Sequence, residues 1–96
     1  MVLYKIYRND DRMNKKHLRI LKLIFTNPPP ANISWKDIEA MLKNLKAEIT
    51  EGRGSRIRIA LKDRRAVFHR PHPHKETDKG AVKSVRRFLE NIGVKP

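Results

Sequence analysis

The 96-residue chain has no cysteine. That excludes a disulfide scaffold, a thiolate metal site and a cysteine nucleophile together, and it is compatible with the cytosol. Acidic residues are scarce: 10 Asp and Glu stand against 23 Lys and Arg, a formal net charge of +13 with a pI near 10.7. Aromatic residues make up only 6% of the chain. Trp35 and Phe88 both fall on apolar helical stripes, so stacking platforms for bases are not evident. No run of about 18 apolar residues occurs, which leaves no candidate for a transmembrane helix. Residues 1–12 lack a signal peptide's apolar centre, being interrupted by Lys5, Arg8, Asp10, Asp11 and Arg12. A soluble, cytoplasmic protein is expected.

What is present fits one small domain. A chain of this length buries about 60–65% of the surface that its unfolded form exposes, so its core is limited. The 39% hydrophobic content still permits one. A charge of +13 on so small a body repels itself and points to a polyanionic partner, either nucleic acid or an acidic protein. Met13-Asn14-Lys15-Lys16 reads as a fresh start, which makes residues 1–12 an extension and 13–96 the domain. A chain beginning at Met13 is expected to fold as well as the full one. A large drop in its melting temperature would show instead that Tyr4 or Ile6 packs on the body.

From Lys16, Leu18, Leu21, Ile24 and Phe25 recur at helical spacing and predict a helix over 15–26, ended by Pro28-Pro29-Pro30. Ser34 with Asp37 three residues on, and Ile33 placed to meet Ile38, predict a second helix start. Its buried stripe is Trp35, Ile38, Met41, Leu42 and Leu45, and Lys36, Glu39, Lys43 and Asn44 form the solvent face. After Leu45 the period falls to two. Ala47–Thr50 is a short strand, 51–55 a turn, Arg56–Leu61 the clearest strand, Lys62–Arg65 a second turn and Ala66–His69 the third strand. From about Asp78, Val82, Val85, Phe88, Leu89 and Ile92 mark a last helix, with Gly93 just past its end. The expected fold is α+β: a three-stranded antiparallel sheet with helices on one face, plus an extra N-terminal helix.

Twelve of the basic residues lie between Arg53 and Arg87, opposed only by Asp63, Glu76 and Asp78. With Leu61 facing Ala66, Arg58 would face His69 and Arg56 would face Pro71. Ile57, Ile59, Leu61, Ala66 and Phe68 then lie on the covered face, and Arg56, Arg58, Val67 and His69 on the open one. Ser55, Arg70 and His72 gather nearby. Cations that bind a phosphodiester beside an imidazole that exchanges a proton near neutral pH suit phosphate chemistry. The alternative is that these strand-end histidines are simply solvated. Ser55 reads as a hydroxyl donor to phosphate, because no spacing specifies the base that a nucleophile needs. No metal is expected at His69, His72 and His74, where Pro71 and Pro73 stiffen the segment and no acidic ligand is close. No cofactor is expected either.

Gly54-Ser55 opening a strand, the basic hairpin, His72-Pro73, and Lys79-Gly80 beginning a helix that ends in Ile92-Gly93 resemble HicA-type toxins over about Ser34 to Lys95. The resemblance implies a fold like the double-stranded-RNA-binding domain and a ribosome-independent, metal-independent mRNA endoribonuclease of a type II toxin–antitoxin pair. It further implies a HicB-type antitoxin as partner, with RNA gripped by cations such as Ser55's neighbours Arg56, Arg58 and Arg70, and by Lys79 and Lys83. The family commonly places its catalytic His directly after Gly-Ser, where this chain has Arg56. Arginine holds phosphate but is no base at neutral pH. Either His69 or His72 carries that role, or the chain is a weak or inactive RNA- or antitoxin-binding module.

Overall fold

The computed structural model describes residues 13–96, so the predicted extension over 1–12 lies outside the described residues. Helix α1 spans Lys15–Ile24, where Asn14 Oδ1 accepts the His17 N–H at 2.9 Å and caps its start. It stops two residues short of the predicted end, with Phe25 as its cap. Its buried stripe is Ile20, Leu21 and Ile24, and the expected Leu18 and Phe25 only flank it, half-buried.

A short strand β1, Ile33–Ser34, leads into α2, Trp35–Asn44. Ser34 is the N-cap residue but its side chain makes no capping bond. Asp37 pairs instead with Lys16 at 3.4 Å, tying α2 to α1. Trp35, Ile38, Met41 and Leu42 are buried as expected, and Ile33 is buried with Ile38.

Strand β2 is Glu48–Glu51, β3 is Arg56–Leu61 and β4 is Arg64–His69, in the antiparallel order β2-β3-β4. Glu76–Thr77, as β5, pairs with β1 in a two-stranded ladder that the sequence does not announce. It ties the segment that leads into α2 to the segment that leads into the last helix, α3 (Lys79–Asn91). Asp78 caps α3 by accepting the Ala81 N–H at 2.7 Å. The architecture is α+β and consistent with a double-stranded-RNA-binding-domain-like fold, with three helices and one three-stranded antiparallel sheet among the described residues.

One face of that sheet supplies Ile57, Ile59, Leu61 and Phe68 to the core. Phe68 joins it to both flanking helices. Its ring centroid lies 5.9 Å from that of Trp35 on α2 and 6.2 Å, edge-on, from that of Phe88 on α3.

The hairpin register differs from the sequence expectation. Only Lys62 and Asp63 form the turn, so Leu61 pairs with Arg64, Ile59 with Ala66, Arg58 with Val67 and Arg56 with His69. The tight turn is closed by Lys62 at φ 59, in the left-handed region. No glycine or asparagine announced it. Because the slip is two residues, every side chain keeps its face.

Two helices end in the same paired-bond motif. Gly93 (φ 80) donates to the Glu90 carbonyl at 3.0 Å and Val94 to the Leu89 carbonyl at 2.9 Å. After α2, Lys46 (φ 79) donates to Lys43 O at 2.9 Å and Ala47 to Leu42 O at 3.0 Å. Lys46 thus holds a conformation that suits glycine. Lys46→Gly is expected to raise stability by about 0.5–1 kcal/mol, read as a higher urea midpoint with an unchanged slope.

Candidate functional site

Alternation along β3 and β4 leaves Arg56, Arg58, Val67 and His69 exposed on the face away from the helices. Arg56 and His69 are direct cross-strand partners, a placement that brings Cβ atoms to about 4.5–5.5 Å. Arg58 sits one pleat further along the same face, beside Val67 on one side and Thr50 on the other. Ser55 lies exposed just before β3, and its carbonyl accepts the Arg70 N–H at 2.9 Å, which continues the ladder past His69. Arg56, Arg58 and His69 therefore share the open face of the sheet, with Ser55 at its edge. Next to them a shallow depression of about 530 Å³ is lined by residues including Thr50, Arg58, Arg65 and Val67. Val67, at 53% exposure, is the one large apolar side chain exposed among the described residues.

Three expected ligands stand elsewhere. Arg70 follows His69 and points to the helix side of the sheet, where its guanidinium is already engaged. Its Nε donates to Glu39 Oε2 at 2.7 Å, one terminal nitrogen to Glu39 Oε1 at 3.2 Å, and the other to Glu51 Oε1 at 2.7 Å. Trp35 Nε1 donates to the same Glu39 carboxylate. These contacts hold the Arg70 pKa above its already high ordinary value, through Glu39 first and then Glu51. The hydrogen bond from Arg70 in turn holds the exposed Glu51 carboxyl below the usual carboxylate range. Arg70 is therefore a clamp between the sheet end and α2, not a member of the exposed group on the open sheet face. Glu39, expected on the solvent face, is half-buried within it. Nothing in the local pattern pairs residues 31 positions apart, so the sequence carries no signal for this clamp.

Lys79 and Lys83 are exposed on α3. Because α3 packs on the sheet's covered face through Phe88, they do not join His69. His72 is exposed in the segment between Arg70 and β5, which is anchored by the Trp35 N–H donating to Lys75 O at 3.0 Å. Among the described residues neither the His69 nor the His72 imidazole has a hydrogen-bond partner. Nor does any helix among them have the length and apolarity to cross a membrane.

Residues 35–94 match a family described as the HicA toxin of bacterial toxin–antitoxin systems. No curated protein and no solved structure matches the chain. The match begins at Trp35 and so contains β2, β3, β4 and α3, while α1 lies before it.

Proposed function

Because the chain belongs to the HicA toxin family, we propose that it is a metal-independent endoribonuclease that cuts mRNA and is neutralised by a HicB-type antitoxin. The observation that carries the reading is the cross-strand pair of Arg56 and His69 on the open sheet face. An imidazole there removes the proton of a ribose 2′-hydroxyl, whose oxygen attacks the adjacent phosphorus. The bond to the 5′-oxygen breaks, and that oxygen takes a proton from an acid, for which His72 is the nearer imidazole in sequence. Arg56 and Arg58 hold the phosphate and offset the charge that develops on its oxygens, and the Ser55 hydroxyl donates to it. The products are a 2′,3′-cyclic phosphate and a 5′-hydroxyl.

Exposed Val67 beside Arg58 and Arg65 offers a protein partner an apolar centre with a cationic rim. An antitoxin seated there would cover the cleavage site. The test is incubation of the purified protein with single-stranded RNA in excess chelator. Cleavage with 5′-hydroxyl ends is expected, and intact RNA after long incubation would overturn the reading. A second reading is favoured by the lack, among the described residues, of any group that orients His69 or His72: an RNA-binding module with little or no chemistry. It predicts salt-sensitive binding of RNA that stays uncut, and no growth arrest on expression without the partner.

A further inference from the structure

Helix α1 carries four cations and no acidic residue in ten positions. Lys15, Arg19 and Lys22 recur at spacings of four and three, all exposed and opposite the buried Ile20, Leu21 and Ile24. Lys15 and Lys16 stand in the first turn, where the helix dipole disfavours cations, and among the described residues only Lys16 has an acidic partner.

The neighbouring α3 repeats the arrangement, with Lys79, Lys83 and Arg87 exposed along its outer side. Arg86 joins the two helices, its Nε donating to Ile24 O at 2.9 Å and a terminal nitrogen to Thr26 O at 2.8 Å, at the C-terminal end of α1. Of the acids on α3 and its cap, Asp78 accepts the Ala81 N–H, and Glu90, three residues after Arg87, is the one exposed acid along this side of α3. No large apolar side chain is exposed on this face among the described residues, since Val67 is on the sheet. Protein interfaces are built round an apolar centre, whereas a phosphate backbone is bound by charge alone.

We propose that the solvent faces of α1 and α3 form a second track for the phosphate backbone of RNA. It lies on the side of the molecule away from His69 and extends beyond the family-matched residues. The assignment to RNA rests on the proposed cleavage of RNA, but the electrostatic track does not. It is charge-read and indifferent to base sequence, and it holds a strand's flanking nucleotides while another stretch reaches the sheet.

The full-length chain and its Lys15→Gln, Arg19→Gln, Lys22→Gln variant are compared for binding a fluorescent 2′-O-methyl RNA 20-mer, which has no 2′-hydroxyl to attack, across a salt series. The variant is expected to bind at least tenfold more weakly at low salt. Its slope of log affinity against log salt should flatten by about two, near 0.7 for each single-strand phosphate left without a cation. A control of equal net charge, Lys43→Gln, Lys62→Gln, Arg64→Gln, is expected to bind less than threefold more weakly. Equal weakening in the two variants, or unchanged binding in the first, overturns the proposal. So does a DNA duplex that binds more tightly than the RNA and whose binding falls in the same variant. If the α1 variant binds unchanged while the parent cuts unmodified RNA, the track fails and the nuclease stands. If binding falls as expected but nothing cuts, the nuclease fails and the track stands.

Discussion

The His69→Ala, His72→Ala double variant is expected to cut RNA about 100- to 10,000-fold more slowly than the parent, the range that positioned acid–base groups contribute. Both imidazoles are exposed, so their removal leaves the core intact and a fall in rate cannot be a failure to fold. His69→Ala alone is expected to carry most of the loss, because His69 is the imidazole held directly opposite Arg56 by the β3–β4 ladder. Binding of uncleavable RNA should change little, since the arginines remain. The position that the family usually gives to its catalytic histidine supplies a further arm. Arg56→His in the double variant returns an imidazole to the open face and is expected to recover part of the rate. Equal cutting by parent and double variant would place the chemistry elsewhere.

Arg70→Met is expected to produce the largest loss of stability of any single change at the sheet end. It leaves Glu39, whose side chain is 13% exposed, with Trp35 Nε1 as its remaining donor. Removing one member of a buried ion pair costs about 3–5 kcal/mol, and the partial exposure of Arg70 reduces that to about 2–3 kcal/mol. For a domain of this size, that lowers the melting temperature by roughly 10–20 °C. The single tryptophan sits in the cluster, so its fluorescence reports the change directly. Adding Glu39→Gln should recover much of the loss, because an amide can accept from Trp35 without leaving a charge buried.

The same clamp sets an acid dependence. Arg70 depresses the folded-state pKa of Glu51, so the contribution of that ion pair is present above the ordinary carboxylate range. It disappears as pH falls through the depressed value. Arg70→Met should therefore show a shallower fall of stability with acid than the parent. An unchanged acid slope would mean that Glu51 contributes nothing in solution.

Local rules were enough for much of this molecule. The 3.6-residue spacing of Val82, Val85, Phe88, Leu89 and Ile92 and the strict alternation of Arg56–Leu61 are properties of neighbouring residues. Both elements form where that spacing and alternation put them, with the covered and open sheet faces correctly divided. The α+β architecture followed, as did the placement of Arg56, Arg58, Val67 and His69 on one surface, because side-chain alternation survives a register error of two.

What needed the third dimension depends on residues distant in the chain or on conformations that sequence does not mark. A lysine at positive φ shortened the hairpin turn and put His69 opposite Arg56 rather than Arg58. Pairing of β1 with β5 joins positions more than 40 apart, which no period encodes. Arg70 looked like another phosphate ligand, and Glu39 on α2 with Glu51 on β2 hold its guanidinium on the opposite side of the sheet. Charge composition alone pointed to a polyanion. Which cations share a surface was decided by packing, because a charge's neighbours in space are chosen by the core beneath it.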